Sequence, residues 1–328
     1  MYKPLPQLLP RNRLPDMTLF ATKDNPVPDG AVDGTLKTAD GIELRFACWR
    51  AEAPSRGTVC VFPGRTEKIE KYFETVRDLR KRGFAVAVLD WRGQGGSQRL
   101  LKNAMKGHVG AFADYQTDLQ AFMREIVLPD CPPPYFALAH SMGAAILLDA
   151  ARQGRRWFDR MVLIAPMLDL SLLKHDLAAR RMARFCATVG LSSFYVPTGK
   201  IRPLVELEFD GNRLTSDPVR FARNLTINME QPQLDVGPPT IGWMKSAFDL
   251  MDTLTDPATA RIIRQPLLMV AAGADRIVST PAIEHLGTRL IAGAHLVIPG
   301  ARHELLQERD IFREPLLAAF DAFVPGSV

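Results

Sequence analysis

The feature that most limits the fold is a set of six short apolar runs, at 58–62, 84–90, 135–139, 161–165, 267–272 and 295–298, separated by stretches of helical length. Runs without polar alternation suit strands buried on both faces, a condition met when helices cover both sides of a mostly parallel sheet. Upstream, 35–38 and 42–49 flank Asp40-Gly41, a dipeptide that supplies the positive φ of a tight turn, so an antiparallel hairpin is expected to open the sheet. The expected class is α/β. Between Ala165 and Leu267 the gap far exceeds the few dozen residues of a strand-helix-strand crossover. Residues 167–256 are therefore expected to form a helical cap inserted into a core built from 31–166 and 257–328. Amphipathic patterns at 172–189 and 217–229, interrupted by Pro197, Pro203, Pro232, Pro238 and Pro239, fit that assignment. Residues 1–30, broken by Pro4, Pro6, Pro10 and Pro15, read as an extended arm over the core.

Composition removes several function classes. A chain of 328 residues with 47% hydrophobic and 23% charged residues is neither fibrous nor disordered along its length. A net charge of +5 is too small to select nucleic acid or an anionic membrane, and no nucleic-acid partner is expected. Cys48, Cys60, Cys131 and Cys186 lack the spacing of a zinc site or a redox pair, which suits a reducing compartment. With no signal-peptide run and no apolar stretch of spanning length, the expected location is cytoplasmic. Contact with the inner face of a membrane stays open: 174–185 places Arg180, Arg181 and Arg184 among Leu173, Leu177 and Phe185, so one helix could carry basic and apolar faces together.

The chemistry is concentrated at Tyr135-Phe-Ala-Leu-Ala-His140-Ser141-Met142-Gly143, an apolar strand, a turn of small residues and a helix opening after Ser141. That is the layout of a nucleophile elbow, with Ala139 standing where the usual pattern has its first glycine. A serine nucleophile needs a base and an orienting acid, each in a loop after a later strand. The run 267–272 leads into Gly273-Ala274-Asp275, and 295–298 leads into Pro299-Gly300-Ala301-Arg302-His303. Ser141, Asp275 and His303 thus converge on the carboxyl edge of the sheet as nucleophile, acid and base. Asp249, Asp252 and Asp256 compete for the acid role but have no preceding strand. Of the other histidines, His108, His175, His285 and His295 read as surface or packing residues, and His140 is expected to face away from the site. Backbone N–H groups of Arg65, in the turn Pro63-Gly64-Arg65-Thr66-Glu67, and of Met142 would serve as oxyanion donors. The loop Asp90-Trp91-Arg92-Gly93-Gln94-Gly95-Gly96-Ser97 lacks the glycine pattern of a dinucleotide site and the Lys-Ser/Thr of a phosphate loop, and reads as a structural border.

Together, D-x-R-G-x-G-x-S at 90–97, H-S-M-G at 140–143, Gly-Ala-Asp at 273–275 and Gly-Ala-Arg-His-Glu at 300–304 resemble the α/β-hydrolases of the monoacylglycerol lipase and lysophospholipase family. Pro-Gly-Arg-Thr-Glu at 63–67 with Lys71-Tyr72 is most similar to the bacterial lysophospholipase L2 branch. Ala139 and Ala144 depart from the family, which usually has glycine at both. The resemblance implies hydrolysis of monoacyl lipid esters, a lysophospholipid or a monoacylglycerol, through an acyl-enzyme that requires no metal and no organic cofactor. The alternatives are a carboxylesterase or thioesterase acting on small acyl substrates, and a non-catalytic binding protein that keeps the fold. Oligomeric state is not legible.

Overall fold

The computed structural model describes residues 19–171, 176–197 and 208–325. One sheet holds β1 (Ala31–Lys37), β2 (Glu43–Trp49), β3 (Thr58–Phe62), β4 (Ala85–Leu89), β5 (Tyr135–His140), β6 (Arg160–Ile164), β7 (Leu267–Ala272) and β8 (Gly293–Ile298) in the order β1-β2-β4-β3-β5-β6-β7-β8. The β1–β2 hairpin pairs Leu36 with Leu44 and turns at Asp40-Gly41, where Gly41 has φ +84°. β2 is antiparallel to β4, and every pairing from β4 to β8 is parallel. Residues of β3, β4 and β7 are buried at every position, which is why their sequences show no polar alternation. β8, at the edge, alternates in exposure and buries only Ile298 fully.

The helices are α1 (Phe73–Lys81), α2 (Ala113–Phe122), α3 (Leu128–Asp130), α4 (Met142–Arg152), α5 (Asp176–Thr188), α6 (Pro218–Glu230), α7 (Ile241–Thr255), α8 (Pro257–Ile262), α9 (Thr280–Gly287) and α10 (Asp310–Phe323). Four of them, α5 to α8, lie between β6 and β7. Local chemistry sets their starts. Asp217 accepts from the N–H groups of Val219 and Arg220 at 2.8 and 2.9 Å, with Pro218 at the first position of α6, and Thr240 caps α7 through the Trp243 N–H at 3.2 Å. α7 packs on α4 and beside α5. Of the helix expected at 172–189, the part seen is α5; residues 172–175, including Leu173, Lys174 and His175, lie outside the described residues. So do 1–18 of the expected arm. Its remainder is fastened to the core by Asn25 Nδ2 donating to the Glu70 carbonyl at 2.8 Å and by Trp49 Nε1 donating to that of Pro28 at 3.0 Å.

The described helices include none long and apolar enough to cross a membrane.

Candidate active site

Ser141 follows β5 directly and precedes α4, with φ 49° and ψ −110°, a strained conformation for a residue with a side chain. The surroundings hold it there: its N–H donates to the Ile164 carbonyl at 2.9 Å, and its carbonyl accepts from Met167 and Ala145, both at 3.1 Å. Gly143 is needed for a different reason. A Cβ there would lie 2.5 Å from the Phe62 carbonyl oxygen and 2.6 Å from that of Pro63, so only glycine lets α4 approach the end of β3 this closely. Ala139 sits within β5 between Phe62 of β3 and Leu163 of β6, 1% exposed. Its methyl is housed in the sheet, and Ser141 takes up the positive φ of an elbow without the first glycine.

Three expected side chains meet. Ser141 Oγ lies 3.1 Å from His303 Nε2, and His303 Nδ1 lies 2.8 Å from Asp275 Oδ2. Asp275 Oδ1 accepts from the N–H groups of Ile277 and Val278 at 2.7 and 3.0 Å. Burial pushes the Asp275 carboxyl toward its neutral form, but the hydrogen bond and charge of His303, with those two N–H groups, outweigh it and hold the pKa below the usual carboxylate value. The carboxylate is thus an ionised acceptor on both oxygens. The rival acids are engaged elsewhere. Asp249 pairs with Arg184 and Lys245, Asp252 with Arg180 and Arg184, and Asp256 caps α8 through the Ala258 N–H at 2.7 Å.

Met142 opens α4, and Arg65 lies in the turn after β3 that meets α4 at Gly143. Neither backbone N–H has a protein acceptor among the described residues.

The profile of the serine aminopeptidase S33 hydrolases matches residues 53–310. The chain belongs to this family. It is a serine ester hydrolase of α/β-hydrolase fold. Lysophospholipase L2 of Escherichia coli is 33% identical to it over 297 residues, 87% of this chain and 84% of that one. A probable lysophospholipase L2 of Haemophilus influenzae is 29% identical over 83% of this chain and 85% of its own length. Among solved structures, a soluble variant of monoglyceride lipase from Saccharomyces cerevisiae superposes with a TM-score of 0.71 at 18% identity, covering 90% of this chain and 97% of that one, a likeness of fold.

In this hydrolase the border loop 90–97 does more than frame the site. Asp90 accepts from Arg45 Nε at 2.8 Å, Ile69 N–H at 3.0 Å and Gly96 N–H at 2.7 Å, while Arg45 also grips Glu70 with both terminal nitrogens. The loop folds tightly around that carboxylate, and a Cβ on Gly95 would fall 2.2 Å from it. Gln94 then reaches the turn that carries Arg65, donating Nε2 to the Gly64 carbonyl at 2.7 Å and accepting from the Thr66 N–H at 3.3 Å. Trp91 Nε1 adds a bond to the Pro63 carbonyl at 2.9 Å. The expected oxyanion turn is braced by three hydrogen bonds from this loop.

His140 corrects the sequence reading. It does not turn away into packing. The ring is buried, stands 4.8 Å from that of His303 between centroids, and lies 3.1 Å from Glu67 and 3.2 Å from the His303 carbonyl. The other described histidines are apart from the hydrolase's site. His108 bonds Thr240 Oγ1 at 2.8 Å, His295 packs where Gly287 has no side chain, and His285 is exposed. The basic helix also changes character: Arg180 is buried over the Phe248 ring and paired with Asp169 and Asp252, so it does not belong to a solvated basic face. Glu67, Lys71 and Glu304 were legible only as motif letters with no assigned task. Their signal is position, since His140 adjoins Ser141 and Glu304 adjoins His303.

Proposed function

We propose that Ser141, His303 and Asp275 are the nucleophile, base and acid of this esterase, and that its substrates are monoacyl lipids, lysophospholipids or monoacylglycerols. The observation that carries the reading is the unbroken hydrogen-bond chain from Ser141 Oγ through the His303 ring to the buried Asp275. Ser141 Oγ attacks the ester carbonyl as His303 Nε2 takes its proton. The oxyanion of the tetrahedral intermediate accepts from the N–H groups of Arg65 and Met142, fixed in advance by the braced turn and the start of α4. Collapse breaks the bond to the alcohol, which leaves with the proton returned by His303. Water, deprotonated by the same nitrogen, attacks the acyl-enzyme, and the fatty acid departs with Ser141 Oγ reprotonated. Asp275 holds one tautomer and stabilises the imidazolium.

The substrate class is supported by the relatives named above and by the site's surroundings. A small cavity of about 70 Å³ is lined by Thr66 and Glu304, the chain neighbours of Arg65 and His303, with apolar Phe221 and Leu225 and polar Lys68 and Asn228. In this reading, 167–256 act as a cap carried on the core 31–166 and 257–328. The cap's α5 also exposes Leu177, Met182 and Phe185, each more than half exposed, which favours apolar contact with a lipid surface. The test is turnover of 1-acyl lysophosphatidyl lipids and monoacylglycerols against p-nitrophenyl esters of rising chain length. Preference for long single-chain lipids supports the reading. Turnover confined to short esters assigns a small-molecule carboxylesterase instead.

A further inference from the structure

A second buried charged group lies directly behind the triad. Glu67 is its hub. It accepts from the Gly64 N–H and the Tyr72 hydroxyl and from Lys71 Nζ at 2.7 Å, and it lies 3.1 Å from His140 Nδ1. Lys71 Nζ also reaches Glu304 Oε1 at 2.6 Å. The side chains of Glu67, His140, Lys71 and Glu304 are each at most 10% exposed. On its far side His140 Nε2 stands 3.2 Å from the carbonyl oxygen of His303.

These contacts determine the state of the ring. A carboxylate that receives three donors, one of them a lysine ammonium, is ionised and offers only lone pairs, and a backbone carbonyl can only accept. A neutral imidazole has a single N–H, so it would set a ring lone pair against one of these acceptors. With both nitrogens protonated, both contacts become hydrogen bonds. Charge agrees, because two carboxylates, Glu67 and Glu304, are then matched by two cations, Lys71 and His140. Burial penalises the charged ring, but the Glu67 charge and hydrogen bond overcome that penalty and raise the His140 pKa; Glu304 acts in the same direction and Lys71 against it.

We propose that His140 is an imidazolium which, anchored by Glu67, holds the His303 backbone through its Nε2–H, making Glu67 and His140 positioning residues for the base. The inference rests on the triad reading above. His303 is then fixed at three points: its ring by Asp275 and Ser141, and its carbonyl by the residue adjoining the nucleophile. The same carboxylate holds Gly64, next to the oxyanion donor Arg65. One ion pair therefore ties together the elbow, the base loop and the oxyanion turn, three segments remote in sequence.

Two measurements test this. In ¹⁵N-histidine NMR of the Ser141→Ala protein, with the ring assigned through its backbone, His140 should carry a proton on both nitrogens at neutral pH. A singly protonated ring overturns the proposal. In kinetics, His140→Gln, whose amide reaches about as far as Nε2, should keep kcat within a few fold of the parent. His140→Asn, which reaches only as far as Nδ1, should lose about 10²-fold in kcat with KM little changed, the scale of a misplaced catalytic group. Parental kcat in His140→Asn overturns the positioning role. Should either variant fail to fold, the NMR result, taken with His140 intact, decides. Turnover retained by Ser141→Ala would instead overturn the triad reading while leaving the charge of His140 to be read independently.

Discussion

Asp275 shows what a single atom decides. Oδ2 faces His303 Nδ1 while Oδ1 takes two backbone N–H groups, so its orientation is set by the loop and not by the histidine alone. Asp275→Asn should keep the fold but present an amide to Nδ1, favouring the wrong tautomer and lowering kcat by about 10⁴. Asp256→Asn, which only weakens the cap of α8, should leave kcat near the parent's, as steady-state ester hydrolysis would report. The Glu67–His140 pair makes a pH prediction. Glu67 is held well below its ordinary value despite burial, by His140 and Lys71, so its contribution to stability is complete above the unfolded glutamate pKa of about 4.3 and fades as pH falls through the lower folded value. His140 is raised, so its contribution is complete below the unfolded histidine pKa of about 6.5 and fades as pH rises through the higher folded value. Thermal unfolding should therefore show a plateau between those limits with a decline on each side, and His140→Gln should flatten the alkaline decline. An unchanged alkaline limb would count against the pair.

At the scale of elements, α5 and α7 show how burial hides or distorts a helix's sequence pattern. α7 shows no clear amphipathic pattern in the sequence because it is buried between α4 and α5, with Ile241, Trp243, Phe248 and Leu254 inaccessible, so a clean polar face is missing. α5 misled in the opposite sense. Its arginines leave a lipid-facing basic face open in the sequence, but Arg180 and Arg184 are spent on Asp252, with Asp169 and Asp249 beside them. The Arg184 pairs are half exposed, where such contacts are worth less than about 1 kcal/mol, so they orient α5 on α7 more than they stabilise it. Outward, α5 presents apolar Leu177, Met182 and Phe185 with exposed Arg181 among them. Met182→Ser combined with Phe185→Ser should reduce co-sedimentation with neutral and anionic vesicles alike, leaving hydrolysis of a short p-nitrophenyl ester unchanged. Vesicle binding that survives the double variant yet vanishes in high salt would restore the electrostatic reading.

Across the whole molecule, what could be read in advance follows from how local the cause is. The six apolar runs and the Asp40-Gly41 turn are local signals, and they correspond to β3 to β8 and the β1–β2 hairpin. Ser141, Asp275 and His303 could be nominated because each follows a strand and the parallel sheet delivers those ends to one edge. The Glu67–His140–Lys71–Glu304 cluster could not, since its meaning depends on three loops coming together and on the exclusion of water. Nor could the inward turn of Arg180, which needs acidic partners from β6's following loop and α7. The sheet's register brings nucleophile and base within hydrogen-bond reach, and the account stands or falls on that meeting. The direct measurement is labelling by a fluorophosphonate probe, read by peptide mass spectrometry alongside residual ester hydrolysis. The account predicts one adduct, on Ser141, with hydrolysis lost in step with labelling and no labelling of Ser141→Ala. An adduct elsewhere that abolishes activity, or undiminished hydrolysis by Ser141→Ala, would contradict it.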